Sequence, residues 1–304
     1  MAKGFRPIPN KPKSGPIEVA SNMWTIEADD FVYYRPPIQP RYPYPNRSVV
    51  IRLDDGSLFI HSPIRLTPDI RVDVDALGTV KYVVSPNHIH HLHMGDWSQA
   101  YPDARLYASP RLAQKRKDLT FYRTLSTNTP EPEWAGEIEQ CVFGSDEGRA
   151  GWCDEIAFFH RASRTAIFAD MIMDFDPAIL TLVARVTTRW NQMYRHTPRG
   201  MQFAHIFGRT SLRRSLETVR AWKPEHVTIA HSPWLCVDGK PQVEEFLDSA
   251  FDWLSPRPPI AEAAMTVVRL SVLLLLIVPI HAMLVFSVDI VYRPLVNRRL
   301  KTRN

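Results

Sequence analysis

Between residues 48 and 231 the apolar positions fall in short runs separated by turns and by amphipathic stretches. SVVIRL (48–53), the turn Asp54-Asp55-Gly56 and SLFIHS (57–62) predict a β-hairpin. VDVDALGTV (72–80) carries a short helical segment, and KYVVS (81–85) follows as a nearly continuous apolar strand. Such a strand suits the covered middle of a sheet, because a solvated face would demand alternation. ARLYAS (104–109) predicts a further strand, and Pro110 opens a short helix containing Arg111 to Lys117. EIAFFH (155–160), the turn RASR and TAIFAD (165–170) make a second hairpin. SLRRSLETVRAW (211–222) sets Leu212, Leu216, Val219 and Trp222 on one stripe, the mark of an amphipathic helix. Pro224 ends it, and HVTIAH (226–231) is another strand. Asp176-Pro177 caps a helix expected to run from Ala178 to Met193, while the stretch 130–152 reads as a loop near a site. Strands interleaved with helices predict a layered α/β fold, and the two hairpins exclude a purely parallel sheet.

Composition adds a domain map. The 304 residues divide into a flexible basic arm (1–19), a folded domain (20–254), a proline-rich linker (255–264), a hydrophobic helix (265–290) and a basic tail (291–304). The opening MAKGFRPIPNKPKSGP is followed by no apolar stretch and reads as a loose arm, not a secretory signal. Cys141, Cys153 and Cys236 are odd in number and form no CxxC, which argues against a disulfide scaffold and for a reducing compartment. The net charge is +5, but residues 289–304 hold five basic side chains against Asp289, so the rest of the chain carries only +1. A folded body so balanced gives no reason to expect nucleic-acid binding.

The chemistry-bearing signal is Pro86-Asn87-His88-Ile89-His90-His91-Leu92-His93-Met94-Gly95-Asp96-Trp97, directly after the apolar strand. Four histidines in six positions bring several imidazoles to a strand's carboxyl end, where α/β sheets form clefts. Neutral imidazole suits zinc and iron. The run resembles the metallo-β-lactamase superfamily, whose H-x-H-x-D-H motif is matched by His88-x-His90-x-Leu92-His93. Asp170, in IFADMI, matches the family's bridging aspartate, and His231, in TIAHSP, matches its last metal histidine.

The resemblance covers about residues 20–240 and implies an αββα sandwich of two mixed β-sheets, here with a C-terminal hydrophobic helix. It implies His88, His90, His93, Asp170 and His231 as metal ligands. Leu92 departs from the pattern, since it stands where the family has an aspartate and offers no lone pair. The family's histidine before the second hairpin is also missing; Cys153 lies near its place, with Asp154 and Glu155 as adjacent oxygen donors. A small buried thiol is the plainer account of Cys153. His61 ends the first hairpin where the family has a supporting acid, and Asp96 either approaches the site or caps the following helix. His91 is expected to point away from the site; His160, His196, His205 and His226 fall outside the ligand set.

The resemblance further implies zinc, as one or two ions, with iron as the alternative. Metal-bound water would attack an ester, lactone, thioester or phosphodiester of an unknown small-molecule substrate. No side chain is assigned as catalytic, Asp96 being the weak candidate. A non-catalytic metal-stabilised binding domain and a mononuclear iron oxidative enzyme stay open, because fold does not fix function. Trp97, Trp134, Trp152, Trp190 and Trp234 are candidate pocket walls, although large rings are more often core. From Leu270 to Val288 run 19 residues without formal charge, a length that reaches a membrane. The expectation is a cytoplasmic domain associated with a membrane through that segment, with packing on the folded body or in a homodimer the other ways to bury it.

Overall fold

The computed structural model describes residues 4–7, 15–28, 44–143, 153–205 and 208–256, with residues 267 and 271. Its strands are apolar on both faces, and each face meets a different partner. One sheet contains β2 (Ile17–Ala20), β3 (Met23–Glu27), β4 (Arg47–Arg52), β5 (Ser57–His61), β6 (Thr79–Val84), β7 (Arg105–Ala108) and β8 (Arg123–Thr124), in that order. It is antiparallel from β2 to β5 and parallel from β5 to β8. The second sheet runs β1 (Phe5–Pro7), β15 (Trp234–Asp238), β14 (His226–Ile229), β11 (Thr165–Phe168), β10 (Glu155–His160), β9 (Ile138–Phe143). Only its β11–β14 pairing is parallel. A small separate ribbon pairs β12 (Met173–Asp174) with β13 (Tyr194–His196).

Strand parity builds the layers, because successive side chains point to opposite faces. Val49, Ile51, Phe59, Tyr82 and Val84 face inward against Ile156, Phe158, Ile167 and Leu235 of the other sheet. The alternate residues Val50, Ile60, Val83 and Leu106 face outward under α1 (Pro68–Leu77), α2 (Met94–Ala100) and α3 (Leu112–Lys115), meeting Ile70, Val74, Trp97 and Leu112. On the far side, Phe159, Phe168, Val227 and Ile229 are covered by Leu212, Leu216 and Val219 of α6 (Arg209–Ala221) and by Val243, Phe246 and Leu247 of α7 (Lys240–Ala250). The expected αββα sandwich of two mixed sheets is therefore the observed fold. At the first hairpin, Gly56 takes a φ of +81°, where a β-carbon would be strained, and closes the turn through its N–H to Leu53 O.

Several elements differ from expectation. The single helix expected over 178–193 is two pieces: a 3₁₀ turn at Pro177–Ile179 capped by Asp176, and α4 (Leu182–Trp190), capped afresh by Thr181 Oγ1. Leu180 between them is extended and breaks the run. A short α5 (Arg199–Ala204) follows β13. The loop expected over 130–152 contains β9, an edge strand. The arm expected to be loose contributes β1, paired with β15, and most of β2. Among the described residues no helix is long and apolar enough to cross a membrane. The hydrophobic helix expected over 265–290 lies, apart from residues 267 and 271, outside the described residues, as do the basic tail and most of the linker.

Candidate metal centre

The parallel strand pairs of both sheets end on the same side, and the polar residues gather there, as expected at carboxyl ends of parallel strands. The segment after β6 is held by its own backbone partners. Asn87 Oδ1 accepts from the N–H of Ile89 (2.8 Å) and of His90 (2.9 Å), forming a turn around its side chain. The Ser85 hydroxyl meets the carbonyls of Asn87 and His90, and Ile156 N–H binds Pro86 O. This folding turns His90 inward. Its Nε2 lies 3.1 Å from Nε2 of His231, just beyond β14, and 3.3 Å from Oδ2 of Asp170, just beyond β11. His231 Nε2 is 3.0 Å from Asp170 Oδ1. These three buried residues offer donor atoms all within 4.8 Å of one another, the arrangement a metal ion would need.

The far nitrogens orient the rings. His231 Nδ1 donates to Pro45 O at 2.5 Å; a carbonyl only accepts, so the hydrogen sits on Nδ1 and the Nε2 lone pair of the neutral ring faces the cluster. The Tyr44 ring meets the His231 ring edge to face at 4.5 Å. His90 Nδ1 is 2.6 Å from Ser62 Oγ. Ser62 has a φ of 55°, unusual for serine, and its N–H is bonded to Val84 O. Asp170 is held by Asn87 Nδ2 at 2.7 Å. Glu155, buried below, accepts from the N–H groups of Ala169 (2.9 Å), Asp170 (2.6 Å) and Met171 (2.9 Å), fixing the turn that presents the aspartate.

The charges follow from this packing. Burial raises the pKa of Glu155 to about 7, aided by the neighbouring Asp170 and opposed by the backbone N–H groups. Burial would also raise that of Asp170, but the neighbouring His90 outweighs it and holds the carboxyl well below its usual range. Burial works against a charged His90; the Asp170 carboxylate wins and raises its pKa, whereas burial dominates at His231 and lowers it.

The other sequence candidates lie elsewhere. His88 Nδ1 is 2.7 Å from Asp154 Oδ1, and Asp154 Oδ2 accepts from Arg111 N–H, so this imidazole is paired outside the cluster. His93 Nδ1 is 3.1 Å from Asp96 Oδ2 in the first turn of α2, and Asp96 is exposed. Leu92 is 61% exposed. Cys153 is half-buried, and burial, with Asp170 and Asp154 nearby, pushes its thiol up to about 12. His61 keeps the inward parity of Phe59, packs against Phe158 and finds no hydrogen-bond partner among the described residues; burial lowers its pKa to about 3. His91 points away from the cluster, as expected, and meets Arg116 Nη1 at 3.0 Å. Trp97, Trp134 and Trp234 are buried, Trp190 is exposed, and Trp152 lies outside the described residues. Sequence reasoning missed Asn87, Ser62 and Pro45 and gave Glu155 a minor part. Asn87, a turn-forming amide directly at a strand end, was the one such signal available.

No curated protein matches the chain by sequence. Among solved structures, DIM-1 metallo-β-lactamase exposed to ceftazidime aligns with a TM-score of 0.51 at 14% identity, over 78% of this chain and 96% of that one. VMB-1 aligns with a TM-score of 0.51 at 11% identity, over 79% and 97%. Rubredoxin oxygen:oxidoreductase from Desulfovibrio gigas gives a TM-score of 0.54 at 11% identity, over 80% of this chain but only 62% of that one. At such identities the likeness establishes the metallo-β-lactamase fold. A family model covers residues 23–198, more than half of the 304, and includes His90 and Asp170 but stops before His231; the chain belongs to that family, described as a domain of unknown function, DUF4336.

Proposed function

We propose that His90, His231 and Asp170 hold one divalent cation, zinc in the first instance, and that the protein is a hydrolase acting on an ester, lactone, thioester or phosphodiester. The observation that carries the reading is the convergence of two imidazole Nε2 atoms and a carboxylate, each ring fixed through its other nitrogen. Two histidines and one carboxylate are a proven zinc donor set. A divalent cation there would supply Lewis acidity and lower the pKa of a coordinated water toward neutrality. The protein's own part is to orient and to exclude. Pro45 O and Ser62 Oγ aim the rings, while Asn87 and the turn held by Glu155 aim the carboxylate. Burial of the three donors removes competing water and strengthens every charge interaction among them.

The same donor set also matches the two-histidine, one-carboxylate triad of non-haem iron proteins, which favours a mononuclear iron oxidative enzyme as the second reading. Elemental analysis of gently purified full-length protein, joined to a turnover panel of the four substrate classes, tests both. About one zinc ion per chain with hydrolysis is expected, lost in His90→Ala/His231→Ala and kept in His88→Ala. Iron without hydrolysis selects the second reading, and a bound ion with no turnover of any kind points to a metal-stabilised binding domain. Absence of metal, or its retention by the double variant, refutes the site.

A further inference from the structure

Helix α4 is amphipathic in the wrong sense for a core helix. Ala184 and Thr188 face the protein, in contact with the small cluster of Phe175, Leu180 and Met193, while Leu182 (75% exposed), Val183 (57%), Val186 (61%) and Trp190 (53%) face out. At about 100° per residue these four span an arc of roughly 100°. Ile179, also exposed, extends the patch onto the preceding turn. Half of the exposed large apolar side chains among the described residues fall between 179 and 190, so the patch is concentrated and not scattered.

The charge around it has one sign. From residue 177 to 216 the chain carries seven arginines and no aspartate, glutamate or lysine. Arg185 and Arg189, both exposed, border the apolar arc on one side, about 60° and 20° from Leu182. Arg199 lies over the Trp190 ring at 5.6 Å and donates to its carbonyl. Arg195 is paired with Asp174 at 3.3 Å. An apolar face bordered by arginines and carrying a tryptophan fits the boundary between headgroups and acyl chains.

We propose that α4 and the turn at Ile179 form a docking face for an anionic lipid bilayer. The helix lies in the plane of the headgroups, with Leu182, Val183, Val186 and Trp190 inserted and Arg185 and Arg189 at the lipid phosphates. A face of this size binds reversibly by itself and holds stably when a second element adds to it. The same chain supplies one in the uncharged stretch 270–288 and its five-residue basic complement beyond. The docking face shares its apolar cluster with Tyr44, whose ring touches that of His231, so it lies beside the candidate metal centre, although it stands independently of that reading.

The test uses the full-length chain and co-sedimentation with phosphatidylcholine vesicles, with and without phosphatidylserine. The wild type is expected to favour the anionic vesicles. Leu182→Ser/Val186→Ser/Trp190→Ser should lower the partition coefficient by about tenfold or more, with thermal unfolding unchanged because all three side chains are exposed. Arg185→Glu/Arg189→Glu should abolish the preference for phosphatidylserine. Brominated lipid should quench wild-type fluorescence more than that of Trp190→Phe. Partitioning of the triple variant equal to wild type overturns the proposal and leaves membrane binding to the C-terminal stretch alone. A change in oligomeric state of that variant without loss of vesicle binding overturns it in favour of a second copy on this face.

Discussion

Arg47 ties the two sheets together directly beneath His231, and its removal has a calculable cost. The side chain begins β4 and is fully buried; Nε donates to Glu27 Oε1 at 2.5 Å. Nη1 reaches across the sandwich to Ile229 O (3.1 Å), Leu235 O (3.0 Å) and Ser232 Oγ (3.2 Å), the three groups that frame the β14–β15 turn carrying His231. Arg47→Met keeps most of the volume and removes every donor. Leu235 O retains Thr228 Oγ1, and Ser232 Oγ retains Trp234 O, but Ile229 O loses its bond to Arg47. A hydrogen bond from a charged donor lost at a buried carbonyl costs about 1.5–3 kcal/mol, and breaking a buried ion pair on one side costs about 3–5 kcal/mol. Glu27 is 12% exposed and regains some water, so the lower end, about 3 kcal/mol, is expected. For a domain of this size that lowers Tm by about 6–12 °C. Urea unfolding and calorimetry of Arg47→Met, of Arg47→Lys, and of Arg47→Met/Glu27→Gln measure it. The lysine variant should fall between, the double variant should recover part of the loss, and metal retention should drop in Arg47→Met even below its unfolding temperature. A loss under about 0.5 kcal/mol in Arg47→Met, the range of ordinary surface changes, would refute the claim that this network holds the turn.

Asn87→Ala should destabilise by about 2–3 kcal/mol in urea, since it removes the acceptor of two backbone N–H groups and a bond to Asp170; Asn87→Asp should be worse, because it sets a third carboxylate beside Asp170 and Glu155, and equal stability of the two would refute that charge argument. Acid should destabilise the fold, because burial lowers the pKa of His61 and His91 to about 3 and of His205 to about 4. The unfolded chain takes up these protons near pH 6.5 and the folded chain does not, so stability falls as pH drops through the window from about 6.5 to 4, by at most about 1.4 kcal/mol per pH unit for each histidine. Glu155, with its pKa raised to about 7, works the other way between about 4.5 and 7, as do Asp174, Glu131 and Glu137, whose pKa values burial raises; His160 and His231, lowered by burial, add to the three histidines. Urea midpoints that do not fall between pH 6.5 and 5, or a slope unchanged in His61→Phe, would contradict this.

The layered α/β fold was readable because covered sheets need apolar residues at both parities, as in KYVVS and EIAFFH, while the two-sheet sandwich was implied only by the family resemblance. Periodicity failed where burial does not follow it. The helix expected over 178–193 breaks at Leu180, where Thr181 starts a new cap, and its Leu182, Val186 and Trp190 face out. β9 escaped notice because Ile138 to Phe143 lie in a stretch crowded with Trp, Pro and Gly. At the site, the residue types His, His and Asp in the right chain order were visible, but not which loop histidine turns inward. The contacts that decide it include the backbone carbonyl of Pro45, which carries no side-chain signal, and Ser62, 28 residues from the ring it touches.

The Asn87 turn also bears on how many ions the site can hold. A second ion in the pattern of the family resemblance needs a carboxylate at position 92 and the imidazole of His93. Position 92 is a leucine facing solvent, and His93 is paired with Asp96 at the start of α2. His88, which would complete the first ion's shell in that pattern, is paired with Asp154, itself bonded to Arg111 N–H. Moving His88 inward would take from the buried Asp154 carboxylate one of its hydrogen-bond partners, a cost of about 1–3 kcal/mol. The two remaining rings and one carboxylate give a donor set of formal charge −1. The single ion proposed above rests on this geometry: Asn87 accepts from the N–H groups of Ile89 and His90, and of the loop histidines only His90 joins Asp170 and His231 among the described residues.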